Sequence, residues 1–262
     1  MNTVDISAAS LAIGYALLII PLGILLWHRI PIVGQTLVAI VRMTLQLLLV
    51  GLYLQVVFKL NYPWLNGLWL LVMIGVADFS IARGCGLRLT KLALPLLVAL
   101  FAGVAVPLFF FMALILRQPN LMEAQYVIPI GGMILGNCLR ADIVGISNFY
   151  EAIRKSEKCF LHSLAQGARL TEAIRPFLRD AIRAAMIPMV ATMATIGLVA
   201  LPGMMTGVIL GGASPMTAIK YQIAIMIAIF SGTSITVLLA IWLTAKKGFT
   251  AYGILDRQIF RK

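Results

Sequence analysis

Seven long apolar stretches, separated by short polar segments, dominate the pattern of the chain. A helix needs about 20 apolar residues to cross the hydrocarbon core of a bilayer, because every backbone N–H and C=O must be paired within the segment. The pattern therefore predicts an all-α, polytopic integral membrane bundle of about seven transmembrane helices. The predicted spans cover residues 6–27, 38–58, 64–81, 92–116, 126–149, 181–201 and 221–245.

The composition agrees with a chain that is solvated by lipid. Of the 262 residues, 61% are hydrophobic and 11% are charged, whereas about a quarter of the residues in a soluble domain are charged. The net charge of +12 does not indicate a nucleic-acid partner, because the basic residues lie between apolar runs rather than on an exposed polar face. Cys85, Cys138 and Cys159 show no CxxC spacing and are interpreted as reduced thiols.

The basic residues predict an orientation, because cytoplasmic loops carry an excess of lysine and arginine. With an external N-terminus, only Lys59, Arg117 and Lys220 lie outside, and Arg42 and Arg140 lie within spans. The other sixteen of the 21 basic residues then lie inside: Arg29, Arg83, Arg88, Lys91, Arg154, Lys155, Lys158, Arg169, Arg175, Arg179, Arg183, Lys246, Lys247, Arg257, Arg261 and Lys262. The sequence therefore predicts that the N-terminus is out and the C-terminus is in.

Residues 1–262 are expected to form a single transmembrane permease domain, since the longest polar segment covers only about residues 150–180. No GxxxxGK[ST] phosphate loop occurs, so any ATPase would be a separate chain. The motifs GxSxG and HExxH are also absent, and His28 and His162 are the only histidines. The chain is therefore expected to be a transport subunit with no catalytic residues or cofactor of its own.

Residues 164–176 are the most informative polar stretch. Gly167 can end the helix that leaves the fifth span, Thr171 can cap a new short helix, and Pro176 can begin the next helix. The sequence thus predicts a short helix across the membrane face, within a cytoplasmic coupling segment at about residues 150–180. Such a helix suits docking into a groove on a partner; the alternative is an amphipathic helix that rests on anionic lipid headgroups.

Residues 201–215 are apolar, but they are too short to cross the membrane twice and are rich in Gly and Pro. Non-helical backbone at membrane depth must be buried in protein or line a cavity, so either a re-entrant turn or a packed outer loop fits. Met204 and Met205 lie in this segment, and Met133 lies in the fifth span. Their thioethers could bind a soft metal or serve as flexible packing residues.

Arg42 and Gln46 lie four residues apart on the second span, hence on one helix face. Polar side chains at such depth are costly unless they face water or the bundle interior, so both are candidates for a substrate path. Arg42 lies near the inner end, and its alternative role is to extend to the lipid headgroups.

The fifth span contains Gly132 and Gly136, whose spacing favours close helix contact, and Asn137, which can hydrogen-bond across that contact. The alternative for Asn137 is to offer its amide oxygen to a passing cation. Asp78 and Asp142 lie toward the inner ends of the third and fifth spans, and they are expected to form structural ion pairs with Arg140 or Arg83.

Several segments together resemble a family of bacterial permeases, the membrane subunits of an iron-export ABC transporter, which is related to plant permeases implicated in aluminium tolerance. The resemblance covers most of the chain. Its marks are Arg42-x3-Gln46-Leu47 with Gly51, Ile128-Pro129-Ile130-x-Gly132-Met133-Ile134-x-Gly136-Asn137, Gly167-Ala168 with Ala173, Arg179-Asp180-x-Ile182-Arg183-Ala184-Ala185-x-Ile187-Pro188, Leu201-Pro202-Gly203-Met204-Met205-Thr206-Gly207 and Ala218-Ile219-Lys220-Tyr221-Gln222-Ile223.

The resemblance implies a permease homodimer in the bacterial inner (plasma) membrane, bound to two copies of a separate ABC ATPase that binds ATP and Mg, and exporting iron or another metal from the cytoplasm. Export of a small organic or thiol-linked solute, or an ATP-independent channel, are the alternatives. The expected ATPase-coupling residues are Gly167, Ala168, Thr171, Glu172, Ala173 and Arg179. The expected substrate path comprises Arg42, Gln46, Met133, Asn137, Met204 and Met205. Four of these, Gln46, Asn137, Met204 and Met205, are expected to face a cavity between two permease copies. The sequence assigns no metal ligands.

Overall fold

The computed structural model describes residues 7–250 and 253–259, so Ile6 of the first predicted span and the basic residues Arg261 and Lys262 lie outside the described residues. A π-helical turn, Phe111–Ile115, extends α5, and a 3-10 turn, Arg257–Ile259, follows the last α-helix. The α-helices are α1 Ala8–Ala16, α2 Ile19–Trp27, α3 Val33–Leu60, α4 Pro63–Gly84, α5 Leu89–Phe110, α6 Ala124–Lys155, α7 Glu157–Ala165, α8 Leu170–Ala173, α9 Arg175–Thr195, α10 Gly203–Leu210 and α11 Pro215–Gly248.

Six helical stretches in the described part of the chain are long and apolar enough to cross a membrane, which confirms an all-α, multi-pass membrane bundle. They are Ala9–Trp27, Val33–Leu60, Pro63–Gly84, Leu92–Ile115, Ala124–Lys155 and Pro215–Gly248. These correspond to the predicted first to fifth and seventh spans, and most extend several residues beyond the predicted bounds.

The predicted sixth span, 181–201, has the wrong bounds at both ends. Helix α9 begins at Arg175, where Pro176 occupies its first turn, and ends at Thr195 because Ile196 is extended and Gly197 has a φ of +86°. Arg175, Arg179, Asp180 and Arg183 make the first turns of α9 polar, and α9 is not one of the six apolar stretches. A total of seven spans stays a prediction.

The first span is interrupted rather than continuous. Helix α1 ends at Ala16 and α2 begins at Ile19, with the N–H groups of Leu17 and Leu18 bonding back to Gly14 and Tyr15. Proline has no N–H, and its ring collides with the carbonyl four residues earlier. Pro21 therefore accounts for the break at Leu17.

Helix α6 is at the centre of the structure and packs against α4, α5, α9 and α11. The closest approach is between α5 and α11, where a β-carbon added to Gly232 would collide with the carbonyl oxygen of Gly103, and one added to Gly103 would lie 2.8 Å from Cβ of Thr236. Small residues at such a crossing let two backbones approach closely, which is how helices associate in lipid. We call α4, α5, α6, α9 and α11 the central bundle.

Helices α1, α2 and α3 form a peripheral layer with few contacts to the central bundle. The most apolar part of both of its membrane-length stretches contains no buried residue. Tyr15 and Thr44 share a hydrogen bond of 2.5 Å between α1 and α3. The ring of Tyr53 stacks on Trp69 of α4 at 4.0 Å between centroids, and Val57 is fully buried.

One end of the bundle brings together the segments that carry most of the basic residues, and we call it the basic end. The N–H of Arg88, at the start of α5, donates to the carbonyl of Ile259 at 2.8 Å. The ring of Phe160 in α7 lies 6.2 Å from that of Phe177 in α9 and 5.7 Å from that of Phe249, just after α11. The coupling segment is thereby fixed to the central bundle.

Candidate functional site

The predicted coupling segment forms two short helices, α7 and α8, between α6 and α9. The helix that leaves the fifth span ends at Lys155, before the predicted stop at Gly167. Gly167 instead follows the end of α7 at Ala165 and adopts a φ of +92°, which favours glycine. Helix α8, Leu170–Ala173, is the predicted short helix, but Thr171 does not cap it. Arg169 is the N-cap residue, and its backbone N–H donates to the Glu172 carboxylate at 2.8 Å, because a carboxylate in the third helical position can bond back to the N-cap.

A polar groove lies where α8 meets α9. It has a volume of about 730 Å³ and is lined by Glu172, Arg175, Pro176, Leu178, Arg179 and Ile182. Thr171, Glu172 and Arg179 are exposed, and Ala168 is half-buried. Ala173 is only 6% exposed and belongs to the hydrophobic core. Ala173 therefore anchors α8, whereas its exposed neighbours are free to meet a partner.

Arg42 and Gln46 line a second cleft, between α3 and α4. This α3–α4 cleft has a volume of about 1000 Å³, and Arg83 and Ser80 line it from the α4 side. Both Arg42 and Gln46 are exposed to it. The predicted pairing of Arg83 with Asp78 is wrong, because Asp78 is 4% exposed and forms no ion pair with any residue that the structure describes.

A third site, the central cavity, lies among α6, α9 and α11. Its volume is about 340 Å³, and its polar lining comes from Asn137, Arg140, Thr192 and Thr233. Asn137 donates from Nδ2 to the carbonyl of Met133 at 2.8 Å and accepts at Oδ1 from Nη2 of Arg140 at 3.2 Å. The predicted hydrogen bond of Asn137 across a helix contact is therefore wrong, since both bonds stay within α6. Its amide oxygen already receives a cationic donor, which disfavours the alternative role as a cation ligand.

Asp142 is fully buried behind this cavity. Its Oδ2 accepts a hydrogen bond from Oγ1 of Thr236 at 2.8 Å, and its Oδ1 has no partner. The predicted ion pair with Arg140 is wrong: Arg140, two positions earlier, points from a different face of α6, as residues two apart on a helix do not face each other. Thr233 and Thr236 were missed by the sequence reasoning because a threonine in an apolar helix gives no signal until its neighbour is known.

The methionines of the predicted path and the glycines of the fifth span lie in different surroundings. Met133 and Met204 are partly buried against the hydrophobic core, and Met205 is half-buried. Residues 203–210 form α10, which has no buried residue, so the segment is neither non-helical throughout nor deeply packed. Gly132 approaches Cε of Met73, as expected for a close contact, but a β-carbon on Gly136 would meet nothing within 4 Å. The close-packing prediction is therefore wrong for Gly136.

The predicted path residues do not form a single site within one chain. Arg42 and Gln46 share the α3–α4 cleft, Asn137 lines the central cavity, and the methionines line neither. In the part of the chain that the structure describes, no three His, Cys, Asp or Glu side chains lie close enough together to hold a metal ion.

Long apolar helices around polar clefts define this chain as a multi-pass membrane protein of the permease class. It belongs to the family described as "Uncharacterised protein family (UPF0014)", whose model matches residues 8–249. A UPF0014 membrane protein from Synechocystis is 36% identical over 208 residues, which is 79% of this chain and 80% of the relative. The Escherichia coli "Probable iron export permease protein FetB" is 32% identical over 253 residues, 96% of this chain and 95% of that protein.

A plant relative extends the family beyond bacteria. The Arabidopsis thaliana "Protein ALUMINUM SENSITIVE 3" is 28% identical over 251 residues, 94% of this chain and 89% of the plant protein. No solved structure matches the chain. The resemblance inferred from the sequence motifs is confirmed at the level of the family.

Proposed function

We propose that the chain is the permease subunit of an ATP-driven ABC exporter that moves iron or another metal out of the cytoplasm. Its similarity to a protein named as a probable iron export permease over nearly the full length of both chains supports this function. The proposed assembly is a homodimer of permeases with two copies of a separate ATPase, which binds ATP and Mg. The proposed location is the bacterial inner membrane, with the N-terminus outside and the basic end in the cytoplasm.

The groove at α8 and α9 carries the proposed ATPase contact. It presents a carboxylate, Glu172, beside the guanidinium groups of Arg175 and Arg179 and the apolar side chains of Leu178 and Ile182. Mixed charge around an apolar floor is typical of a specific protein–protein contact. Gly167 and Ala168 form the turn before α8, and buried Ala173 fixes α8 to the core.

Movement at the groove would reach the membrane through α9. This helix begins at the groove and runs past Ala181 and Ala185, both buried, to Pro188 and Thr192 at the central cavity. A rigid helix of 21 residues transmits a rotation at one end to the other. Docking of the ATPase at the basic end can therefore change the shape of the central cavity.

The proposed substrate path joins the α3–α4 cleft and the central cavity across the dimer. Gln46 and Asn137 carry the amides of this path, and Arg42 and Met133 lie beside them on the same helices. Met204 and Met205 would form an adaptable outer gate, because unbranched thioethers change shape at little cost. The exposed position of Gln46 in the isolated chain supports a second copy or water at that surface, since an amide facing hydrocarbon is costly.

The contact can be tested by co-purifying the permease with its ABC ATPase after co-expression. Arg179→Glu reverses an exposed charge in the groove and is expected to release the ATPase and abolish metal-stimulated ATP hydrolysis. Lys59→Glu reverses an exposed charge at the opposite end of the bundle and is expected to retain both. Full ATPase binding by Arg179→Glu, or no ATPase bound to the unaltered chain, would contradict the proposal and the cytoplasmic position of the basic end.

A further inference from the structure

The central cavity contains an arginine that forms no ion pair with an acidic residue in the described part of the chain. Arg140 is exposed in this cavity, and its one hydrogen bond to a described side chain goes to the neutral amide of Asn137. A guanidinium group has five N–H donors, so most of its donors remain available. Thr233 lines the same cavity at 1% exposure. Its hydroxyl lies beside the thiol of Cys138.

The depth of Arg140 sets it apart from the other arginines. It lies about 24 Å along α6 from Ala124, at about 1.5 Å per residue, and thus near the middle of this 32-residue helix. Its bond to Asn137 directs the guanidinium group toward the start of α6 and away from the basic end. Arg42 is oriented the opposite way, because side chains tilt toward the N-terminus of their helix, and α3 begins at the basic end. Arg42 can reach the headgroups, whereas Arg140 points into the membrane-embedded part of the protein.

No second copy of the chain can readily neutralise Arg140. Of the acidic residues that the structure describes, the two at membrane depth, Asp78 and Asp142, are buried within the chain's own interior. A carboxylate from a partner copy is therefore not available at this depth. An arginine that faces the membrane interior needs a partner from protein, water or a ligand.

We propose that the central cavity binds the transported substrate as an oxyanion-bearing metal complex, such as a metal carboxylate, rather than as a bare cation. Arg140 would pair with a carboxylate oxygen through two N–H groups, and Asn137 and Thr233 would hydrogen-bond the same ligand. A bare divalent cation would be repelled by Arg140, and the described residues offer it no cluster of acidic, thiol or imidazole ligands. The cavity volume of about 340 Å³ lies at the small end of ligand pockets, which span about 300–1,000 Å³.

This inference deepens the proposed function, and it can be tested without ATP or an ATPase. The full chain in phosphatidylcholine nanodiscs is titrated with ferric citrate, citrate alone and Fe²⁺. Ferric citrate is expected to bind, and Arg140→Gln to raise its Kd at least tenfold. Arg140→Lys keeps the charge but loses the bidentate geometry and is expected to give an intermediate Kd. Lys59→Gln, which removes a positive charge far from the cavity, is expected to bind as the unaltered chain does.

Thr233→Val provides a second variant with an intact charge, and it is expected to weaken ferric citrate binding by a smaller factor. Equal ferric citrate affinity in the unaltered chain and in folded Arg140→Gln would overturn the proposal, as would binding of Fe²⁺ alone. The proposal is also overturned if neither ferric citrate nor citrate alone binds. This outcome includes the case in which Arg140 instead binds phosphatidylglycerol retained from the membrane. If Arg140-dependent binding is found but no ATPase co-purifies, the ligand assignment stands and the ATP-driven mechanism fails.

Discussion

The peripheral layer and the central bundle both contain apolar helices of membrane length, but polar side chains such as Asp142 and Gln46 have different surroundings in the two regions. In the central bundle, Asp142 and Thr236 bond each other in full burial. In the peripheral layer, Arg42 and Gln46 lie exposed in a cleft. In lipid, apolar surface needs no cover, whereas a polar group does. Exposed Leu and Ile on α1–α3 therefore indicate only a lipid-facing surface. Exposed Arg42 and Gln46 indicate a surface where the isolated chain lacks a polar partner, such as water or a second copy of the chain.

Packing gives the largest expected contrast between the two regions. Gly232→Leu would drive a side chain into the backbone of α5 at Gly103, whereas Gly23→Leu on α2 meets nothing within 4 Å. Overpacking commonly costs about 1–3 kcal/mol, and more when backbone must move. We expect Gly232→Leu to yield little folded protein and Gly23→Leu to match the unaltered chain in size-exclusion chromatography and thermal melting in detergent. A similar loss of folded protein in both variants would mean that α2 is packed as tightly as α11.

Hydrogen bonding gives a smaller contrast of the same kind. Thr236→Val leaves the buried carboxylate of Asp142 without its donor, and such an unpaired group costs about 1–3 kcal/mol or more. Thr44→Val removes the bond to Tyr15 at the partly buried contact between α1 and α3, where interhelical bonds in membranes average about 0.6 kcal/mol. The melting temperature should therefore fall clearly for Thr236→Val and only slightly for Thr44→Val. The reverse order would place the rigid part of the molecule in the peripheral layer.

The smallest expected effect on stability is at Gln46. Because this amide has no partner among the described side chains of its own chain, Gln46→Leu should leave the melting temperature of the detergent-solubilised permease nearly unchanged. Metal export by proteoliposomes with the ATPase should nevertheless fall, since the residue belongs to the proposed path. Thr36→Val, on the same helix but outside the lining of the cleft, removes a hydroxyl that bonds to the backbone carbonyl of Ile32 and serves as the matched control. Normal export by Gln46→Leu would remove Gln46 from the path.

The sequence predicted the membrane-spanning helices well because hydropathy acts over whole segments. Local stop signals were also predicted, as Gly167 and Pro176 show. The helix cap was not predicted correctly: Arg169, not Thr171, is the N-cap residue, and its backbone N–H bonds to the carboxylate of Glu172. The hydrogen bond of Asp142 across the bundle was not predicted either, because its donor, Thr236, is close in space but distant in sequence.

The close crossing of Gly103 and Gly232 also has a consequence for how the protein is made. Helix α5 enters the membrane during synthesis before α11, because it precedes α11 along the chain. Until then, the surface of α5 around Gly103 has no partner within the chain, and Asp142 lacks the hydroxyl of Thr236. Insertion can proceed helix by helix, but the central bundle can close only after α11 has been synthesised. A nascent chain that ends before α11 would expose an unpaired carboxylate within the bilayer, a feature by which membrane quality-control proteases could recognise it.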